Sequence, residues 1–217
     1  MYKRFIVFVF IFMLINLNSS FHAHAEKNEE VEVEEMCLNQ SVIELKYGMQ
    51  KLWIEHAWWS RSLIVSTLAD LEDREDVLAR LLQNQVDIGN IMKPYYGDEF
   101  GSKLTDLLQE HILIGGKLID AVKSNDKALV DKMNKEWYQN ADVIVEFLAS
   151  ANPNWLKNEL TEMFYAHLQL TINEVEARLQ KKWKEDIRTA DLNESHLIHM
   201  GDFLTDGIVK QFPEKFK

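Results

Sequence analysis

Val42, Leu45, Met49, Leu52, His56, Trp59 and Leu63 follow one another at steps of 3, 4, 3, 4, 3 and 4, which lays one apolar seam along a helix. The same spacing runs through Leu104, Leu108, His111, Gly115, Leu118 and Val122, and through Leu156, Leu160, Met163, His167 and Leu170. A two-residue alternation that would build a strand is missing from about Leu38 onward. The chain is therefore committed to packing helix against helix. Each seam also spends one of its apolar places on a histidine.

The breaks are regular. Pro94, Pro153 and Pro213 are the only prolines, 59 and 60 residues apart, and each is expected to end a two-helix segment. Within segments, Leu71-Glu72-Asp73 and Ser124-Asn125-Asp126 read as turns whose Asp caps the next helix. A third turn is placed near 184–192, where neither Gly nor Pro marks it. A shift of 55 residues lays Glu55-His56 on Glu110-His111, Leu63-Ile64 on Leu118-Ile119, and Gln85-Val86-Asp87-Ile88 on Asn140-Ala141-Asp142-Val143. The third copy brings His167 into line and, after one added turn, Met200-Gly201-Asp202-Phe203. The expected architecture is all-α: an array or bundle of about six antiparallel helices built from three repeated hairpins, 38–94, 99–153 and 154–213, each burying its face against its neighbours.

Upstream, Lys3 and Arg4 precede an apolar run from Phe5 to Leu17 and then Ala23-His24-Ala25, the small-x-small pattern of a signal peptide covering residues 1–25. The run's 13 residues fall short of the roughly 20 that span a bilayer. The reading is thus a secreted or extracytoplasmic, cell-envelope-associated protein with no stable membrane span after cleavage. Cleavage leaves 35 acidic against 22 basic side chains, a net charge of −13, which repels phosphate backbones and excludes nucleic acid as a partner. Residues 26–37 form an acidic lead-in with six Glu, ending at Cys37, the only cysteine, which excludes a disulfide scaffold and is expected to be an idle thiol, with an intermolecular bridge as the alternative.

Residues that face across a hairpin have numbers centred on its turn. His56 with Gln85 centres at 70.5 and His111 with Asn140 at 125.5, so each imidazole is expected opposite an amide able to satisfy it. On this reading the pairs hold hairpins together and each histidine stays in its own hairpin. The alternative is a divalent or transition metal, or a haem, held by His56, His111 and His167, with Asp87, Asp142, Asp202, His196 or His199 as further ligands. Ligand spacing does not support it: the fourth residues after the three histidines are Ser60, Gly115 and Thr171, and only His196 and His199 form a local i, i+3 pair. Asp87 and Asp142 fall on the opposite flanks of their helices. Gly115-Gly116-Lys117 follows no strand and lacks the phosphate-loop pattern, so small residues for close helix approach are expected there. Neither Gly-x-Ser-x-Gly nor a Cys-His arrangement occurs, so no catalytic residues are assigned. Trp53, Trp58, Trp59 and Arg61 cluster on the first helix, with Trp59 in the seam and Trp58 and Arg61 away from it.

Leu52-Trp53-Ile54-Glu55-His56, Arg80 to Gly89, Pro94-Tyr95-Tyr96-Gly97, Trp137 to Asp142, Asn152-Pro153-Asn154-Trp155 and Leu204-Thr205-Asp206-Gly207-Ile208 together resemble a group of small exported helical proteins of spore-forming Gram-positive bacteria. The resemblance covers nearly all of the chain after the leader. It implies no settled activity: some members carry the labels glycosyltransferase or acetylglutamate kinase, and the motifs of neither are present here. The group favours a Gly before the residue matching Trp183, where this chain has Lys182. The expected function is a non-enzymatic binding or envelope-associated module for an unidentified protein or small molecule. A metal- or haem-binding bundle and a transferase or kinase are the alternatives.

Overall fold

The structure is a computed structural model describing Asn39–Lys217; the leader, the acidic lead-in and Cys37 lie outside the described residues. Six helices follow in order: α1 Gln40–Leu68, α2 Arg74–Tyr96, α3 Asp98–Lys123, α4 Lys127–Ala151, α5 Lys157–Leu179 and α6 Trp183–Gln211, with a closing 3₁₀ turn Pro213–Phe216. Each packs on the next, and α6 returns against α1, so the six form a closed bundle. None is long and apolar enough to cross a membrane.

Three of the links are one device. Asp70, Asn125 and Lys181 take φ of 54°, 56° and 58°, and the residue after each donates its amide five residues back, from Leu71 to Ser66, Asp126 to Ala121 and Lys182 to Ala177. That is a Schellman stop. It corrects the third turn, which lies at Gln180–Lys182 and not at 184–192, because a lysine carries the left-handed conformation that a glycine would have announced. The Asp caps are split: Asp126 Oδ1 accepts from Leu129 N at 3.1 Å, whereas Asp73 makes no side-chain cap.

The proline boundaries shift as well. Pro94 lies inside α2, which continues to Tyr96 because a proline in the last turn forfeits only one backbone bond; Gly97 at φ 87° makes the break, and α3 starts at once. Helices α2 and α3 approach so closely at Gly89 and Gly101 that a Cβ on Gly89 would stand 2.4 Å from the Gly101 carbonyl oxygen. Backbone meets backbone there; at Gly115 it is the Trp137 ring of α4 that comes close, 3.3 Å from where a Cβ would stand, while Gly116 has nothing within 4 Å. The largest apolar cluster joins Met49, Trp53, Met92, Leu104, Trp137, Ile144, Leu168 and Leu204 from all six helices. Two smaller clusters, around Leu63 and Leu81 and around Ile64 and Ile119, lie nearer the Schellman turns. Between the large cluster and the small ones the apolar filling is interrupted.

Candidate functional site

The interruption is three imidazoles. His56, His111 and His167 come from α1, α3 and α5, each at most 4 % exposed, and their rings gather at the bundle centre. Ring centroids lie 5.5 Å apart for His56 and His167 and 6.5 Å apart for His111 and His167. The expectation that each stays in its own hairpin is overturned. Closure of α6 onto α1 turns the seams of α1, α3 and α5 toward a common interior, which pairwise spacing does not reveal.

The expected amide partners are nonetheless there. Nδ1 of His56 faces Nε2 of Gln85 at 3.2 Å, and Nδ1 of His111 faces Oδ1 of Asn140 at 2.7 Å. Asn193 supplies the third, with Oδ1 2.9 Å from Nδ1 of His167. The repeat alignment expects Met200 in that place; even with the turn moved to 180–182 the centring rule that fits the first two pairs gives Ser195 or His196, so Asn193, two or three residues nearer the link, is a partner that the rule misses. All three rings are thus fixed through Nδ1. Nε2 of His111 is fully buried without a partner, and no bond from protein engages Nε2 of His56 or His167 among the described residues.

Burial keeps the rings neutral. It pushes His111 down to about 3, helped by neighbouring His167 and opposed by the Asn140 bond. His167 falls to about 4 for the same first reason, against the Asn193 bond and with His196 adding to the fall. His56 lies well below the ordinary imidazole value through burial and the proximity of the other two.

The imidazoles line a cavity of about 30 Å³ with Ser60, Gly115 and Thr171, room for about one water. Beside it, α3, α4 and α5 enclose a mostly apolar cleft of about 210 Å³. Gly115, Ile119, Trp137 and Thr171 belong to both, so the two voids adjoin where α3 carries no side chain. Asn134, whose Oδ1 is buried without a partner, lines the cleft.

The other candidate ligands are elsewhere. Asp87 accepts from Gln83, Asp142 from the Tyr165 hydroxyl, and Asp202 from Gln50 at 2.7 Å. Nε2 of His196 donates to the Met163 carbonyl at 2.8 Å, and His199 is exposed. None joins the three imidazoles, and among the described residues no three or more His, Cys, Asp and Glu side chains form a metal-holding group.

Sequence reading missed a second polar cluster. Arg61 reaches Glu174 at 2.5 Å and Asp186 at 2.9 Å, and Arg178 meets Asp186 at 3.0 Å, with both carboxylates only 2 % exposed at the side chain. Burial raises Glu174 to about 7 against the pull of Arg61. Four residues from three helices meet there, a juxtaposition no local motif encodes. Nearby, Trp53 is core and touches His56 edge-on, Trp59 lies under the Arg80 guanidinium at 5.2 Å, and Trp58 is exposed. Comparison of the chain with known protein families, with curated proteins and with solved structures finds no match in any of the three.

Proposed function

We propose that this chain is a non-enzymatic binding protein acting outside the cytoplasm, and that its small-molecule site is the α3–α4–α5 cleft together with the adjoining three-imidazole cavity. One observation carries the reading: an apolar void of about 210 Å³ ends beside three buried imidazoles whose outer nitrogens meet no protein group. Apolar walls with a few convergent polar atoms are the usual form of a small-ligand site. An apolar cavity of about 150 Å³ is enough for benzene. Export is supported by Lys3, Arg4, the run Phe5 to Leu17 and Ala23-His24-Ala25, and the hairpin repeat by the shared stops at Asp70, Asn125 and Lys181. The transferase and kinase labels gain no support from six helices without a strand among the described residues.

The test is toluene. At ten times its dissociation constant a ligand adds about 1.4 kcal/mol to stability, which for a chain this long raises the melting temperature by about 3 to 6 °C. Gly115→Val, which fills the junction, is expected to abolish the rise. An unchanged wild-type melting temperature refutes the cleft as a ligand site.

A second reading, a metal held by seam imidazoles, is favoured by His111 and His167, whose Nδ1 faces an amide oxygen in the arrangement that orients metal-bound histidines, and is opposed by His56, whose Nδ1 faces the Gln85 nitrogen. Metal analysis of protein purified without an affinity tag decides it: less than about a tenth of an equivalent removes the reading, since a preformed site fills.

A further inference from the structure

The hydrogen positions of the three rings are dictated by their partners. Asn140 donates through Nδ2 to the Leu107 carbonyl, so its Oδ1 is the acceptor and His111 carries its proton on Nδ1. Asn193 donates through Nδ2 to Thr171, whose hydroxyl donates to the His167 carbonyl, so His167 also carries its proton on Nδ1. Both present a bare lone pair at Nε2. His56 is the reverse. Nε2 of Gln85 donates to the Leu81 carbonyl at 2.9 Å and to Oδ1 of Asn84 at 3.1 Å, and Asn84 is itself fixed by donating to the Leu52 carbonyl. The Gln85 nitrogen shares its two hydrogens among three acceptors and has no lone pair to offer, so at 3.2 Å Nδ1 of His56 meets it as an acceptor and the proton sits on Nε2. Rotating the Gln85 amide would set its oxygen against two other oxygens.

The centre thus offers one donor, His56, and two acceptors, of which that of His111 is sealed away against Trp137. What remains beside the small cavity is a donor on His56 and an acceptor on His167, on rings whose centroids lie 5.5 Å apart. A hydroxyl has that complement, one hydrogen to give and lone pairs to receive.

Resting on the binding reading above, we propose that the site takes an apolar alcohol or phenol no larger than one substituted ring, its body in the α3–α4–α5 cleft and its oxygen between His56 and His167. The hydroxyl accepts from Nε2–H of His56 and donates to Nε2 of His167. Competing head groups fit less well. A metal ion needs lone pairs from all three rings, and His56 presents a proton. A carboxylate would be buried beside neutral imidazoles with one donor and no cation among the residues lining either void. An ammonium group meets the His56 proton head-on. Size is set by the cleft, about 210 Å³.

The experiment compares p-cresol with toluene, which share shape and differ by the hydroxyl, by calorimetric titration of the wild-type chain. The hydroxyl is expected to tighten binding at least about fivefold, because its absence leaves buried polar atoms unmatched. In His167→Phe and in His56→Phe the preference is expected to vanish while toluene still binds. Equal binding of the two probes to the wild type overturns the hydroxyl seat and leaves the cleft as a ligand site. Failure of both probes to bind overturns the cleft with it. A preference that survives in both variants overturns the two assigned partners.

Discussion

Acidification is the perturbation on which the three-imidazole centre makes its strongest demand. An unfolded imidazole titrates near 6.5, whereas in the folded chain His111 lies at about 3, His167 at about 4 and His56 well below its ordinary value. Below about pH 6.5 the unfolded state takes up protons that the folded state refuses, so stability falls as pH falls. At about 1.36 kcal/mol per unit, His111 and His167 together lose about 5 kcal/mol between pH 6.5 and 4.5, and His56 acts in the same direction. Glu174 works the other way. Its folded value of about 7 lies above its ordinary 4.5, so its contribution is complete below 4.5 and lost as pH rises to about 7; acidification therefore returns about 3 kcal/mol. The net loss of at least about 2 kcal/mol is a sizeable fraction of the whole stability of an ordinary domain. Urea unfolding followed by the fluorescence of buried Trp53, Trp137 and Trp155 at pH 7.5, 6.5, 5.5 and 4.5 measures it. His111→Gln is expected to reduce the proton uptake on unfolding by about one. A stability that is flat or rises over this range, or imidazole resonances of the three residues titrating near 6.5, refutes the buried neutral centre.

His56→Leu is expected to keep or raise the melting temperature, because Gln85 retains the Leu81 carbonyl and Asn84 as partners and no amide hydrogen is stranded. Arg61→Met leaves Glu174 and Asp186 buried with half their compensation, and a loss of about 3 to 5 kcal/mol in urea unfolding is expected; a loss under about 1 kcal/mol contradicts the network. Gly89→Ala sets a methyl against the Gly101 carbonyl and forces α2 from α3, so a loss of about 1 to 3 kcal/mol by thermal melting is expected, whereas Gly116→Ala, with open space around its Cβ, is not destabilising. Exported protein is expected to begin at Glu26, read by N-terminal sequencing; a start at Met1 refutes cleavage after Ala25 and leaves a retained anchor as the alternative.

Much of this was legible before any coordinates. The three-four spacing of Leu45, Met49, His56 and Leu63 fixed α1 and its inward face, because a helix repeats every 3.6 residues whatever it later packs against. Centring on two turns named Gln85 and Asn140 as imidazole partners, since a hairpin's register follows from its link. The third partner escapes the rule, because Asn193 lies two or three residues nearer the link than centring on Lys181 places it, and the third turn is hidden by Lys181, which adopts a conformation its residue type does not advertise. Arg61, Glu174, Asp186 and Arg178 were illegible for a different reason: each looks like a solvated helix charge until three helices shut over it.

Helix content, the links after Leu68 and Lys123, and the pairing of two imidazoles with two amides are short-range consequences of the order of residues, and they were determined by the sequence alone. Tertiary structure decided that α6 closes on α1, that three seams then face one centre, and that His56 meets it as a donor while His167 meets it as an acceptor. The physical reason is range. Periodicity and turn geometry are set within a few bonds, whereas convergence and proton placement depend on groups more than a hundred residues apart that only a closed bundle brings within a few ångströms.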